Sequence, residues 1–133
     1  MEKYIYRNYV DILKKELIAA LGCTEPIAIA YASAKARQAL DGMPTKAIVH
    51  CSGNIVKNVK SVTVPNSGGM TGIEIAAILG IVGGDADAQL EVLSKVTDEH
   101  RAQARELLEK GFCVCKLQEG VDNLYVDVYV QNA

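Results

Sequence analysis

Residues 73–82 read "IEIAAILGIV", ten positions in which Glu74 is the sole ionisable group. A segment this apolar all round offers no face to water, so it predicts a helix buried among other elements. The apolar run from Ile75 to Gly84 is far shorter than the roughly 20 residues that cross a bilayer. Glycines at Gly68, Gly69 and Gly72 in "PNSGGMTG" predict a loop ahead of it, and Gly83-Gly84 predicts its end. A second helix is expected in "IAIAYASAKARQAL", residues 27–40. Its alanines at Ala28, Ala30, Ala32, Ala34 and Ala36 let backbones approach, so this helix is also expected to be buried. Pro26 belongs in its first turn, where a missing N–H costs nothing, with Thr24 or Glu25 as cap. Asp41-Gly42-Met43-Pro44 ends it.

The remaining elements follow from periodicity. Ile5, Tyr9, Ile12, Leu13, Leu17 and Leu21 recur at helical spacing and predict an amphipathic first helix ended by Gly22. Ala47 to Cys51 reads as a short buried strand, whereas "SGNIVKNVKSVTV" fits helix or strand equally. "DADAQLEVLSKV" predicts a short helix. A further helix has Thr97 as cap, Asp98 and Glu99 in its first turn, Lys110 in its last and Gly111 as terminator. Two closing strands, "FCVCKL" and "LYVDVYV", are expected to pair as a hairpin across "QEGVDN". Leu124, Val126, Val128 and Val130 share one face of the last. The fold class expected is α+β, several buried helices against a small sheet with a C-terminal β-hairpin, in a single domain over residues 1–133.

With 133 residues, half of them hydrophobic but only one Phe and no Trp, the core must be aliphatic. Net charge is -2, with 14 basic and 16 acidic residues well mixed. No basic stripe points to nucleic acid, and no segment points to a membrane. The opening "MEKYIYRNYVDILKK" is charged throughout and does not read as a secretory signal, so a cytoplasmic location is expected.

Cys23 lies in "LGCTEP", between two expected helices. Backbone N–H groups at a helix start favour a thiolate, which can act as nucleophile or proton-abstracting base. Glu25, two residues on, opposes that charge. The competing reading is a small polarizable side chain filling a helix corner. Gly68, Gly69 and the helix start near Gly72 can present N–H groups to an anion such as a substrate carboxylate, or simply permit a tight turn. Glu74, in its apolar helix, can hold a substrate ammonium or bond to backbone. Cys113 and Cys115 face one way with Leu117 on a strand, as core residues or ligands. Cys51 ends a strand beside His50, whose side chain points the opposite way. His100 is expected to be solvated. The four cysteines match neither zinc pairs nor a disulfide framework.

The segments "ALGCTEPIAIAYASAKA", "SGNIVKNVKSVTVPNSGGMTGIEIAAILG" and "GGDADAQLEVL", covering roughly residues 19 to 95, resemble the N-terminal part of the iron–sulfur L-cysteine desulfidases. That family is related to the iron–sulfur L-serine dehydratases. The resemblance implies an enzyme longer than this chain, in accord with a strand that runs almost to the last residue. It implies a carbon–sulfur lyase that converts L-cysteine to pyruvate, ammonia and hydrogen sulfide with a 4Fe–4S cluster, whose ligands would lie beyond residue 133. Cys23 falls on the family's proposed base for the α-proton. Thr24, Glu25, Ser67, Gly68, Gly69 and Glu74 are then the candidate substrate-binding residues, and no residue of this chain is assigned to metal. L-serine as substrate, or a binding or assembly module without activity, are the alternatives. The implied partner is a small amino acid, and a homo-oligomer is compatible with the reading.

Overall fold

The computed structural model describes residues 3–8, 25–40, 42–121 and 125–132. Strands β1 (Lys3–Asn8), β2 (Lys46–Cys51), β3 (Cys113–Leu117) and β4 (Val126–Asn132) form one mixed sheet in the order β1-β4-β2-β3. Helices α1 (Glu25–Ala39), α2 (Gly53–Val59), α3 (Ile73–Gly83) and α4 (Asp98–Glu109) accompany it, with a 3-10 segment over Ala86–Glu91. The architecture is α+β.

The two expected buried helices are the centre of the molecule. α1 packs against both α3 and β4. Ala30, Ala32, Ala36, Ala76, Ala77, Ile78 and Leu79 are fully buried. The apolar rows of the strands complete this core through Ala47, Val49 and Cys51 of β2 and Val126, Val128 and Val130 of β4. The opposite face of the sheet carries His50 edge-on to Tyr129, with ring centroids 5.1 Å apart. Burying an aliphatic side chain contributes roughly 1.5–3 kcal/mol, so these rows dominate what holds sheet to helices.

Two expectations are corrected. Lys3–Asn8 is an edge strand, antiparallel to β4 with Ile5 opposite Val130, and not the start of a helix. Its Tyr-Ile-Tyr composition favours a strand, and pairing with β4 satisfies its backbone. Residues 9–24, which hold the rest of the expected helix and Gly22, lie outside the described residues, as does Leu124.

The C-terminal hairpin is also absent, because β2 lies between β3 and β4. β2 pairs parallel with β3 (Val49 opposite Cys115) and antiparallel with β4 (Val49 opposite Val128). Residues on both sides of the β3–β4 connection bond to the end of β2. Gln118 N–H donates to the Cys51 carbonyl at 2.8 Å, and Ser52 N–H donates to the Tyr125 carbonyl at 3.0 Å. These bonds close the end of a strand that lies inside the sheet and buries Ala47, Val49 and Cys51, which a hairpin would have left at an edge.

The ambiguous stretch after β2 resolves into α2, where the Ser52 side chain accepts from Ile55 N–H. After α3 the expected short helix is a 3-10 segment broken at Gln89 (φ 53°). Beyond it, the Asn66 amide donates to the Leu93 and Val96 carbonyls at 2.9 and 3.2 Å and holds the chain leading into α4.

α4 is capped at Thr97 as expected. His100, expected to be solvated, instead completes the cap, its Nδ1 accepting from Thr97 N–H at 3.1 Å while Thr97 Oγ1 accepts from His100 N–H. This is a capping box with histidine in the usual glutamate place. Thr97→Ala removes one half and is expected to lower stability by about 1 kcal/mol, read as a fall in the urea midpoint.

Candidate functional site

The N-terminus of α3 opens on a cleft of about 310 Å³ lined by Val56, Lys60, Gly72, Ile73, Glu74 and Cys115. Three parts of the sequence that lie far apart meet here. The Gly-rich loop ends at Gly72, whose φ of 103° suits glycine and which caps α3 without any side-chain hydrogen bond. Gly72 thus supplies no side-chain partner to the first N–H groups of α3. In the same first turn, Glu74 brings a carboxylate. Lys60, directly after α2, brings an ammonium, and β3 brings the Cys115 thiol from across the sheet. Positive and negative groups thus line one small concavity.

Glu25, at the start of α1, accepts a hydrogen bond from Asn58 Nδ2 of α2 at 3.2 Å. That bond ties the beginning of α1 to the helix that contributes Val56 to the cleft. Cys23 and Thr24, on which the sequence reading leans most, lie outside the described residues.

The other candidates separate. Ser67 is buried and committed to its own turn, its hydroxyl donating to the Met70 carbonyl at 3.0 Å and accepting from Met70 N–H at 2.9 Å. Gly68 (φ 76°) lies against α4, where a Cβ would meet the Arg101 side chain at 3.3 Å. Arg101 holds this turn by donating to the Asn66 carbonyl and side-chain oxygen, both at 3.0 Å. Gly69 faces open space. The turn at residues 66–69 is thus a support behind the cleft, and Gly72, Ile73 and Glu74 of the loop and helix line it.

The cysteines do not form one apolar row. Cys113 is buried, Cys115 is half-buried, and Leu117 is 55% exposed, so β3 leaves the core toward its end. Cys51 on β2 is fully buried and shares a sheet face with Cys115 of the adjacent β3. The neighbouring Cys115 thiol pushes the Cys51 thiol up, and burial reinforces it. Cys51 in turn lowers Cys115, against the opposing effects of partial burial and the Glu74 carboxylate. Cys113 is pushed up chiefly by burial. Sequence reasoning missed Lys60 and the placing of Cys51 and Cys115 on neighbouring strands. The parallel pairing of β2 and β3, which puts them there, has no local signature.

This donor set does not fit a 4Fe–4S cluster. Such a cluster is held by four thiolates, and the described residues hold three cysteines, Cys51, Cys113 and Cys115. Among the described residues no three His, Cys, Asp or Glu side chains are grouped to hold a metal ion. Among them, too, no helix is long and apolar enough to cross a membrane.

An α+β protein with a mixed-charge cleft at an open helix end is what fold and site define. The chain is 54% identical over 126 residues to a UPF0597 protein of Finegoldia magna, covering 95% of this chain and 30% of the relative. It is 52% identical to a UPF0597 protein of Lachnoclostridium phytofermentans and 48% identical to one of Treponema denticola, again covering 30% of each relative. The chain therefore spans about 30% of the length of the curated relatives it matches. No family model matches the chain, and no solved structure does.

Proposed function

We propose that this chain is the N-terminal part of a longer carbon–sulfur lyase, which binds L-cysteine in the cleft at the head of α3. The observation that carries the reading is the pairing of Glu74 with Lys60 and the open N-terminus of α3 around one small cavity. A zwitterionic amino acid is complementary to that arrangement. Glu74 takes its ammonium, while Lys60 and the α3 N–H groups take its carboxylate. The volume of about 310 Å³ suits a small substrate.

In the proposed reaction the Cys23 thiolate removes the α-proton. The electron pair of that C–H bond forms the Cα–Cβ double bond and expels sulfide from Cβ. The resulting enamine takes a proton to become an imine, which water hydrolyses to pyruvate and ammonia. The base must come within about 3–3.5 Å of the proton it takes. Cys23 precedes Glu25 by two residues, and Glu25 is the α1 residue tied to α2 beside the cleft. The 4Fe–4S cluster that the resemblance implies would supply Lewis acidity toward the leaving group. Its ligands are assigned beyond residue 133, and no step above runs through it.

The test is an anaerobic assay of the full-length, reconstituted protein on L-cysteine and on L-serine, following pyruvate and sulfide. Pyruvate and sulfide in equal amounts from L-cysteine are expected. Pyruvate from L-serine alone would assign the same elimination with hydroxide leaving. Product from neither would make this domain a binding or assembly module.

A further inference from the structure

The two charges of the cleft stand at the two feet of one loop. Lys60 follows α2 directly, Gly72 caps α3, and Glu74 lies in its first turn. The chain between them, residues 61–71, is closed on itself. Thr63 and Thr71 pair as an antiparallel bridge. Inside that bridge Val64 N–H donates to the Met70 carbonyl at 2.8 Å, and Ser67 N–H donates to the Val64 carbonyl at 3.2 Å. The spacing of Lys60 and Glu74 therefore depends on how this loop is folded. Near its tip Asn66 has a φ of 56°, a backbone region that residues other than glycine seldom occupy. A partner outside the loop holds it there.

That partner is Arg101 in α4, whose side chain is 19% exposed. Its Nη1 donates to the Asn66 carbonyl and side-chain oxygen, both at 3.0 Å, and to the Val96 carbonyl at 3.3 Å. Its Nη2 donates to the Asp98 carboxylate at 2.6 Å. The Asn66 amide adds its own bonds to Leu93 and Val96. The planar fork thus joins the loop tip to the start of α4 through two nitrogens, which the single ammonium of a lysine cannot copy. Arg101 is not among the residues that line the cleft. We propose that Arg101 is a positioning residue for that cleft. By holding Asn66 it fixes the loop whose feet carry Lys60 and Glu74, and so fits their spacing to the two ends of a zwitterionic amino acid. This role rests on the cleft being the amino-acid site proposed above.

A released loop lets the two charges drift, so fewer molecules hold both at the spacing of one ligand. Apparent affinity for a two-ended ligand falls in proportion to the fraction that does. A ligand with one charged end meets its own foot wherever that foot stands, and it binds as before. Once an amino acid is seated, the elimination step is the same, so KM rises and kcat does not fall. General destabilisation reads differently, because it weakens every ligand alike.

The experiment compares full-length, anaerobically reconstituted Arg101→Met and Arg101→Lys with the unsubstituted protein. KM for L-cysteine is expected to rise about tenfold in Arg101→Met and about threefold in Arg101→Lys, with kcat within about twofold. Arg101→Lys keeps the charge and the stem, and it carries the test if the methionine variant does not fold. Inhibition constants of cysteamine, which lacks the carboxylate, and of 3-mercaptopropionate, which lacks the ammonium, should each change by less than about twofold. Amide exchange at residues 66–74 should quicken, while exchange in α1 and β2 stays as it was. A KM within about twofold of the original in both variants, or one-ended inhibitors weakened as much as L-cysteine, would overturn the role of Arg101 and leave the cleft as the substrate site. An unsubstituted protein that eliminates from neither L-cysteine nor L-serine would overturn the cleft reading instead, and the positioning role with it.

Discussion

Gly80→Ala is expected to destabilise the chain by about 3 kcal/mol and to lower its urea midpoint by about 2 M. A Cβ at Gly80 would fall 2.2 Å from the Ala30 carbonyl oxygen and 2.9 Å from the Ala30 Cα and carbonyl carbon. These are backbone atoms, so no rotamer change relieves the overlap. α1 and α3 must move apart, and the fully buried Ile29, Ile78 and Leu79 around the crossing lose contacts with them. Alanine's better helix propensity returns roughly 1 kcal/mol, which is why the loss is not larger. Since domains are stable by only about 5–15 kcal/mol, the effect is a large share of the whole. An unchanged midpoint would mean that the two helices do not cross at this glycine.

The burial of α1 was legible in the sequence, because its alanines let other backbones approach, but its partner was not. Ala30 meets Gly80 of α3 at the crossing. The Thr97 start of α4 and the buried character of residues 47–51 were readable for similar reasons, since caps and short apolar runs are local. The sheet order was not. β3 and β4 are consecutive in the chain, so a hairpin was the simplest connection, and only the pairing of β2 with both shows that it lies between them. Lys3–Asn8 failed for a related reason. A few apolar residues at mixed spacing fit either period, and pairing with β4, more than 100 residues away, decides between them.

The candidate site divides along the same line. Glu74 was conspicuous as the sole charge in an apolar helix, and it does line the cleft. Gly68, Gly69 and Ser67 looked like part of an anion cradle because glycine-rich turns ahead of helices often are. The structure shows Ser67 bonded to Met70, and the turn braced from behind by Arg101, a residue of α4 that no local pattern connects to it. Lys60 and Cys115 reach the cleft through tertiary packing alone, from a turn after α2 and from an edge strand.

The central claim is that an amino acid bound at the head of α3 loses its α-proton to Cys23. Cys23→Ser in the full-length protein keeps the size of the side chain but replaces a thiol of ordinary pKa near 8.5 with a hydroxyl that does not ionise near neutrality. General-base contributions are typically 10²–10⁴-fold, so pyruvate formation should fall by about 10³-fold or more, while the visible absorbance of the cluster is unchanged. The most direct measurement is therefore pyruvate production by Cys23→Ser beside the unsubstituted enzyme, with both absorption spectra recorded. Loss of turnover with the spectrum intact is the predicted result. Turnover within a few-fold of the original, or disappearance of the cluster's absorbance along with activity, would contradict the assignment of Cys23 as the base.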